Sequence, residues 1–373
     1  MLPVIVISGV SMTDSGILSI LRACLNSLEQ SALTSQYRII ALVPNKTLLP
    51  AYANVELLEF PKAKKHYYYR LYYEFWKFNQ LSKQLKPILW LSLHDISPRV
   101  KAAVQTVYMH NPTPFYTPGW LDWKYIPKNA VWAYLYQYLY RLNIHANRFL
   151  IVQQSWIRTD FSKRFHFLKD RIIVARPVER DGSNKVQTDR NPSSAFTFIY
   201  PSYPRVFKNF QIVCEAVALL EKEGFNNIKV LLTIDGTENK YSAYITKKFA
   251  HLQCVEFRGI LPPEKMESFY QEADCLLFPS KLETWGLPIS EFMPFEKPMI
   301  ISDLPYAYET ASGASQVALF NPDDARSLAD RMKEIASDDL SHFKPVKPIK
   351  IDEPVVDDWV GLFNILLESA HIN

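Results

Sequence analysis

Two glutamates, Glu283 and Glu291, stand eight residues apart on either side of a Gly-Leu-Pro turn. The apolar run Cys275–Phe278 predicts a buried parallel strand before them, and Pro288 suits the first turn of a helix. Unpaired N–H groups at a helix start carry partial positive charge and can hold a phosphate. Because phosphate repels carboxylates, we expect the glutamates to bind hydroxyl groups of the same ligand. The alternative is a solvent-exposed helix face without a ligand.

A pair of cations, Arg205 and Lys208, lies between a strand predicted at residues 195–200 and a helix predicted at residues 210–223. An arginine offers a fork of donors and a lysine a point charge, so together they can neutralise a diphosphate. Such a pair is common on ordinary protein surfaces. Its position at the end of a strand, in the same half of the chain as the two glutamates, favours a diphosphate site.

The glutamate segment resembles the E-x7-E signature of retaining glycosyltransferases of family 4, which have the GT-B fold. The similarity extends over about residues 195–334. It implies that Glu291 binds the ribose of a nucleotide sugar and that Glu283 lies against the sugar. It also implies that the loop between them meets the phosphates and the sugar, through Thr284, Trp285, Gly286 and Leu287.

The same resemblance assigns roles to further residues. It implies that Arg205 and Lys208 bind the diphosphate and that His110 lies near the sugar and the acceptor. It also implies that Arg258 and Gly259 hold the nucleotide base, and that Ser15 and Gly16 belong to a loop that faces the donor. For His110 the alternative is a histidine of the core or of a turn. Asp95 and Glu309 are weaker candidates for which a structural role is the alternative.

The chain departs from the family pattern at three places. The loop after the first strand has one glycine where the family often has two, Glu296-Lys297 replaces a usual glycine, and residues 175–178 replace an Asn-Gly turn. These differences predict a divergent member whose specificity cannot be transferred from better-known relatives.

The 373 residues suit two domains, and 48% of them are hydrophobic, which is typical of a globular protein. The four cysteines lack the spacing of a metal site and favour a reducing compartment. The first residues lack the basic region of a signal peptide, and no apolar run reaches the roughly 18 residues of a membrane span. These features predict a cytoplasmic protein, bound to the inner face of the membrane at most.

Charge is divided unevenly along the chain. Residues 1–190 carry 25 Lys and Arg against 12 Asp and Glu, whereas residues 191–373 carry 17 against 26. Tyrosines and tryptophans are interleaved with lysines at residues 62–77 and cluster again at residues 131–140. This composition suits an anionic membrane surface. One alternative is that the same charges bind RNA, and another is that a helix packs its tyrosines into the core. Of these partners, we expect no nucleic acid.

Alternation of apolar strands and helices predicts the fold. Strands are expected at residues 4–7, 37–43, 88–93, 106–110 and 148–153, and again at 195–200, 229–234, 255–257, 275–278 and 298–302. Such alternation favours parallel sheets covered on both faces by helices. We therefore predict an α/β protein of GT-B type: two doubly wound Rossmann-like domains, residues 1–178 for the acceptor and 195–350 for the nucleotide sugar, facing a cleft. A linker at 179–194 joins them, and a terminal helix in residues 351–373 crosses back to the first domain.

The predicted function is a retaining, metal-independent glycosyltransferase without a cofactor. It would move a sugar from a nucleotide-diphosphate sugar to a glycan or lipid-linked hydroxyl, in polysaccharide or lipid-linked oligosaccharide synthesis. Three alternatives remain: a nucleotide-sugar epimerase on the same fold, a catalytically silent nucleotide-sugar-binding partner, and a membrane or nucleic-acid adaptor. The last leaves the second domain unexplained.

Overall fold

The computed structural model describes residues 2–13, 15–63, 65–176 and 194–371, and the side chains of residues 15, 16 and 371 are not described. It divides into two compact units. One unit contains Met1–Pro114, Leu135–Val178 and Ile351–Asn373, and the other contains Phe115–Tyr134 and Glu179–Lys350. Residues 115–134 thus group with the second unit, although they lie within the predicted first domain. The predicted linker lies outside the described residues apart from Ser194.

The strands follow one another along the chain as β1 (Val4–Ser8), β2 (Arg38–Val43), β3 (Val55–Glu59), β4 (Leu89–Ser92), β5 (Val104–Tyr108), β6 (Phe149–Val152), β7 (Ile172–Ala175), β8 (Phe196–Tyr200), β9 (Ile228–Leu232), β10 (Val255–Phe257), β11 (Cys275–Phe278), β12 (Met299–Ser302), β13 (Val317–Phe320) and β14 (Val355–Val356). The first unit holds a sheet of order β14-β7-β6-β5-β4-β1-β2-β3, and the second a sheet of order β10-β9-β8-β11-β12-β13. Neighbouring strands in both sheets pair in parallel.

The α-helices are α1 (Ser15–Glu29), α2 (Leu33–Gln36), α3 (Tyr67–Tyr72), α4 (Phe78–Leu85), α5 (Trp120–Tyr125), α6 (Pro127–Arg141), α7 (Ser155–Phe165), α8 (Phe210–Lys222), α9 (Lys240–Lys248), α10 (Met266–Glu272), α11 (Leu287–Phe292), α12 (Pro305–Thr310), α13 (Ala325–Ala336) and α14 (Trp359–His371). A π-helical turn, Tyr73–Lys77, joins α3 to α4. Within the described part, none of these helices is both long enough and apolar enough to cross a bilayer.

Both sheets are buried on their two faces, as parallel sheets covered by helices must be. Strands β4, β5, β11 and β12 are buried at every position. The terminal helix α14 packs with α1 in the core of the first unit through Trp359, Phe363 and Leu366. The predicted α/β fold with two doubly wound domains, and with the terminal helix in the first, is confirmed.

The order of strands reverses once in each sheet. The chain moves outward from β1 through β2 to β3 and then returns to β4 on the other side of β1; in the second sheet it moves from β8 to β10 and returns to β11. Loops that leave the carboxyl ends of the two strands at such a reversal diverge and open a crevice, where open α/β sheets bind ligands. Ligand sites are therefore expected after β1 and β4, and after β8 and β11.

Candidate functional site

In the second unit, the loops after β8 and β11 meet where the strand order reverses. The backbone N–H of Lys281 donates to the carbonyl of Phe207 over 2.7 Å, which fastens one loop to the other. The first loop carries the predicted cations and the second carries the predicted glutamates. The sheet thus brings together two motifs whose members Lys208 and Glu283 are 75 residues apart in the sequence.

Lys208 and Glu283 form an ion pair across these two loops. Their side chains are 18% and 10% exposed, so water screens the pair only in part. Lys208 ends a short 3₁₀ turn, Val206–Lys208, and Asn209 then takes a left-handed conformation with φ of 60° before α8 begins. The Asn209 side-chain amide donates to the carbonyl of Pro322 over 2.8 Å. These contacts hold the ammonium group at the edge of the sheet.

Two buried tyrosines that the sequence analysis did not single out support the same loops. Tyr200, the last residue of β8, donates its hydroxyl to the carbonyl of Lys208 over 2.7 Å. Tyr306, in α12, donates to the carbonyl of Ser280 over 2.7 Å. Burial raises the pKa of both hydroxyl groups well above the usual value, and the nearby Glu283 carboxylate adds to the effect. Both tyrosines therefore stay protonated as donors.

The segment between the two glutamates forms a tight turn into α11. Gly286 has a φ of 97°, which an L residue rarely adopts, and a Cβ there would lie 3.4 Å from both Ile289 Cδ1 and Phe278 Cε1. Trp285 is buried and donates its indole N–H to Ser290 Oγ over 3.2 Å. The Trp285 carbonyl accepts a hydrogen bond from Thr310. Thr284 is partly buried, and Leu287 is exposed at the helix start.

Glu291 lies in α11, in the turn that follows this loop. Its Oε2 accepts a hydrogen bond from the hydroxyl of the buried Tyr270 over 2.7 Å. One carboxylate oxygen is therefore fixed, and the half-buried side chain keeps a second oxygen for another donor. No local sequence signal points to Tyr270, because its partner lies 21 residues away on another helix.

The two arginines predicted for this unit differ in their surroundings. Arg205 is exposed, and no residue of the described part bonds to its guanidinium group, so it is available for a ligand. Arg258 is bonded to Glu256 over 2.7 Å and to both oxygens of Glu272 over 2.8 and 2.9 Å. These carboxylates, Glu272 first, raise the pKa of Arg258. Its side chain therefore ties β10 to α10.

Gly259, which follows Arg258, has a φ of 70°. A Cβ at this position would lie 2.8 Å from the Asp235 carboxylate on the loop after β9. Hydrogen bonds from the Thr237 hydroxyl and N–H lower the pKa of Asp235, which is thus anionic near neutral pH. Only a glycine leaves room for this carboxylate beside the turn.

In the first unit, His110 lies two residues beyond the end of β5. Asp95 Oδ1 accepts the N–H of His110 over 2.9 Å and that of Asn111 over 3.1 Å, while Asp95 Oδ2 lies 3.8 Å from His110 Nε2. Asp95 therefore positions the backbone and the ring of His110. Ser15 and Gly16, predicted in the loop after β1, form the first turn of α1 instead.

A buried polar cluster lies where the strand order of the first sheet reverses. Ser8, the last residue of β1, has its Oγ 2.9 Å from His94 Nε2, and Glu74 of the π-helical turn lies 3.4 Å from the same nitrogen. Arg70 is 3.0 Å from His94 Nδ1. Burial raises the pKa of Glu74 to about 8 despite Arg70 nearby, and burial lowers that of His94. Sequence reasoning did not single out Arg70 and Glu74, which lie on a segment rich in tyrosine.

Sequence comparisons with known proteins identify similar chains, and the match to a family model falls in the second unit. Residues 183–348 match a family model described as "Glycosyl transferases group 1". The chain is 23% identical over 246 residues to the O-antigen chain mannosyltransferase RfbU of Salmonella typhimurium, and 22% identical over 256 residues to the O-antigen chain mannosyltransferase B of Escherichia coli. These alignments cover 64% and 65% of this chain and 63% of each relative. Together they support a glycosyltransferase.

Solved structures show the same fold over nearly the whole chain. The apo form of the lipopolysaccharide outer core galactosyltransferase WaaB has a TM-score of 0.63 at 12% identity, covering 99% of this chain and 95% of WaaB. A glycosyltransferase from Rickettsia africae has a TM-score of 0.62 at 12% identity, covering 100% of this chain and 94% of its own. The protein HepE of Anabaena, solved with UDP-glucose, has a TM-score of 0.58 at 13% identity, covering 99% and 97%. The fold is that of the GT-B glycosyltransferases.

Proposed function

We propose that this protein transfers a sugar, with retention of anomeric configuration and without a metal ion, from a nucleoside-diphosphate sugar to a hydroxyl group of a glycan. The observation that carries the proposal is the Lys208–Glu283 ion pair at the strand reversal of the second sheet. A cation for the diphosphate and a carboxylate for the sugar lie side by side there. The exposed Arg205 adds a second cation on the same loop.

The ion pair explains how the site would respond to a donor. A diphosphate carries more negative charge than a single carboxylate, so it competes with Glu283 for the Lys208 ammonium group. Once Lys208 turns to the phosphates, Glu283 is left with unpaired oxygens that accept sugar hydroxyl groups. Binding of the donor thus prepares both residues for their roles.

In the transfer step, the bond between the anomeric carbon and the β-phosphate oxygen breaks while the acceptor oxygen bonds to the same face of that carbon. The proton of the acceptor hydroxyl passes to the departing phosphate. Negative charge grows on the phosphate as the bond breaks, and Lys208 and Arg205 stabilise it most at that point. No metal or cofactor enters this scheme.

Glu291 would hold the ribose of the donor with the oxygen that Tyr270 leaves unbonded. His110, positioned by Asp95, would contact the donor sugar and the acceptor. The relatives act on O-antigen chains by their names, which favours an acceptor within a polysaccharide or a lipid-linked oligosaccharide. An acceptor carried by a lipid would bring the protein to a membrane surface.

A thermal-shift screen tests the donor site. The full chain is heated with UDP, GDP, ADP, CMP or TDP, each with magnesium or with EDTA. A ligand at about a hundred times its dissociation constant adds roughly 2.7 kcal/mol to stability, which is readily measured. We expect one nucleoside diphosphate to stabilise the protein equally with EDTA. The Glu291→Ala variant should lose the effect, whereas Glu264→Ala, the same change at an exposed position, should keep it. Absence of stabilisation by every nucleotide would contradict the proposal.

The reaction itself is tested with the donor identified in this way. Product that forms only with an added acceptor, and whose NMR spectrum shows the anomeric configuration of the donor, supports a retaining transferase. A new nucleotide sugar formed without an acceptor would instead show an epimerase. Nucleotide binding without turnover on any acceptor would show a silent binding partner.

A further inference from the structure

A groove lies at the outer edge of the second sheet, and all the residues that line it belong to the second unit. Its apolar lining includes Val317 and Leu319 of the edge strand β13 and Val346, which follows α13 in the chain. Its volume is about 380 Å³, within the roughly 300–1,000 Å³ that is typical of ligand sites. The described residues that line it are not those of the candidate donor site, so the groove is a separate feature of the unit.

One side of the groove is formed by an extended segment, residues 341–350, which we call the lysine strap. Phe343 is buried, and Lys344 exchanges two backbone hydrogen bonds of 3.0 Å with Val317 of β13. Lys344 and Lys347 each precede a proline, which restricts their backbone to extended conformations. The lysine strap is therefore ordered before any ligand binds, and its backbone loses little entropy on binding.

Positive charge recurs along the lysine strap. Lysines stand at positions 344, 347 and 350, and residues 340–351 contain no Asp or Glu. All three side chains are exposed, and no ion pair with another described residue holds Lys344 or Lys347. At about 3.3 Å per residue, an extended chain sets the Cα atoms of successive lysines roughly 10 Å apart. A row of this length suits an anion whose charges repeat along a chain better than a single compact anion.

Other residues of the groove supply an aromatic ring and a charge that is already paired. Tyr308 of α12 is 41% exposed, and its hydroxyl donates to Asp303 Oδ1 over 2.5 Å. This hydrogen bond, with some burial, raises the pKa of Tyr308 to about 12, so the ring stays neutral. Arg331 lies 2.7 Å from Glu334, whereas the described residues that line the groove include no Asp or Glu. The lysines therefore leave the groove positively charged.

We propose that this groove binds an anionic glycan, a chain of sugars that carry carboxylate groups. The lysines of the strap pair with the carboxylates. The ring of Tyr308 packs against C–H groups on one face of a sugar, since the face of an aromatic ring is its negative side. The inference goes beyond the proposed function and does not depend on it, because binding of a glycan here requires no donor and no transfer step.

An acidic peptide suits the groove less well. Peptides commonly bind at the edge of a sheet by adding a strand, through hydrogen bonds to free backbone groups. Here the edge of β13 is already occupied at Val317 by Lys344, and the N–H of Val346 donates to the carbonyl of Ala314 over 2.9 Å. A sugar chain needs no free backbone, because the tyrosine ring and the lysine side chains are sufficient partners.

Calorimetric titration of the full chain tests this inference, in the absence of any nucleotide or sugar donor. The probes are an oligogalacturonate, which carries a carboxylate on every sugar, a malto-oligosaccharide of the same length, which carries none, and an oligoglutamate of the same charge. We expect the oligogalacturonate to bind with an affinity that falls as salt is added. The other two probes should bind at least about tenfold more weakly.

Variants at exposed positions separate the charges from the ring. Lys344→Ser/Lys347→Ser should weaken binding of the oligogalacturonate by about tenfold or more, and Tyr308→Ala should weaken it by about fivefold. The control Lys222→Ser/Lys265→Ser removes the same charge from two exposed positions of the same unit and should bind like the wild type.

The proposal is overturned if the wild type does not bind the oligogalacturonate, or if the control variant loses as much affinity as Lys344→Ser/Lys347→Ser. Binding that survives both Lys344→Ser/Lys347→Ser and Tyr308→Ala would place the glycan elsewhere on the protein and overturn it too. Binding of the oligoglutamate at least as tight as that of the oligogalacturonate would assign the groove to an acidic peptide instead. Since stabilisation by nucleotides is measured separately, failure here leaves the donor site untouched.

Discussion

The Lys208–Glu283 ion pair should make a measurable contribution to stability in the absence of ligand. At an effective dielectric constant of about 20, unit charges about 4 Å apart attract each other by roughly 4 kcal/mol, and desolvation offsets part of this. Because both side chains are mostly buried, we expect a coupling free energy of about 2 kcal/mol. A double-mutant cycle of Lys208→Ala, Glu283→Gln and the double variant measures it, with urea unfolding followed by circular dichroism.

The same loop supplies a matched control for this cycle. Lys281 pairs with Asp323, but these side chains are 40% and 74% exposed, and exposed pairs contribute little. The Lys281→Ala, Asp323→Asn cycle should therefore give at most about 0.5 kcal/mol. Equal coupling in both cycles, or additivity at Lys208 and Glu283 within about 0.5 kcal/mol, would refute the argument that burial makes the pair strong.

The same substitution of Lys208 has a kinetic consequence under the proposed function. Lys208→Ala should lower kcat by about a hundredfold or more, since the charge matters most when the bond to the phosphate breaks. The KM for the acceptor should change little, because the ammonium group lies on the donor side. Steady-state kinetics at saturating donor separate the two effects, and an unchanged kcat would remove Lys208 from the catalytic scheme.

Three further predictions follow from single contacts. Tyr270→Phe removes the donor to Glu291 and should weaken nucleotide affinity by about threefold to tenfold in calorimetric titrations, whereas unchanged affinity would show that Glu291 needs no such support. Gly286→Ala should lower the free energy of unfolding, measured with urea, by about 1–2 kcal/mol and abolish nucleotide binding. Gly313 has a similar positive φ but open space around it, so Gly313→Ala should lower stability without affecting nucleotide binding. Burial raises the pKa of Glu74 from 4.5 to about 8, so its protonated form stabilises the fold below pH 4.5 and this contribution is lost as pH rises towards 8. The free energy of unfolding of Glu74→Gln, taken relative to that of the wild type, should therefore rise by roughly 3–5 kcal/mol between pH 5 and pH 8. A difference that does not depend on pH would contradict the assignment.

The sequence predicted the two sheets well because most of their strands are fully apolar. Strands such as β4 and β11 are buried on both faces, and uninterrupted apolar runs report this directly. The edge strand β3 was not predicted, because only its first residue is fully buried and it includes two glutamates. Strands β7 and β13 were not predicted although both are short, largely buried apolar runs, and the two residues of β14 cannot show a period.

The candidate site was predicted only as far as local motifs reach. The E-x7-E segment and the two cations are visible in the sequence, and the structure brings Lys208 and Glu283 into contact. The residues that support them, such as Tyr200, Tyr270 and Tyr306, carry no local signal, because each acts on a partner brought near by the fold. The role of Arg258 also depends on tertiary contacts, since its two carboxylate partners decide that its side chain is structural.

The distribution of charge shows why net charge is a poor guide to the ligand here. The proposed diphosphate site lies in the half of the chain that carries 26 acidic against 17 basic residues. Salt screens the summed charge beyond about 8–10 Å, whereas a cation in contact with a phosphate in a partly dry crevice is screened much less. Lys208 and Arg205 can therefore bind an anion despite their acidic surroundings.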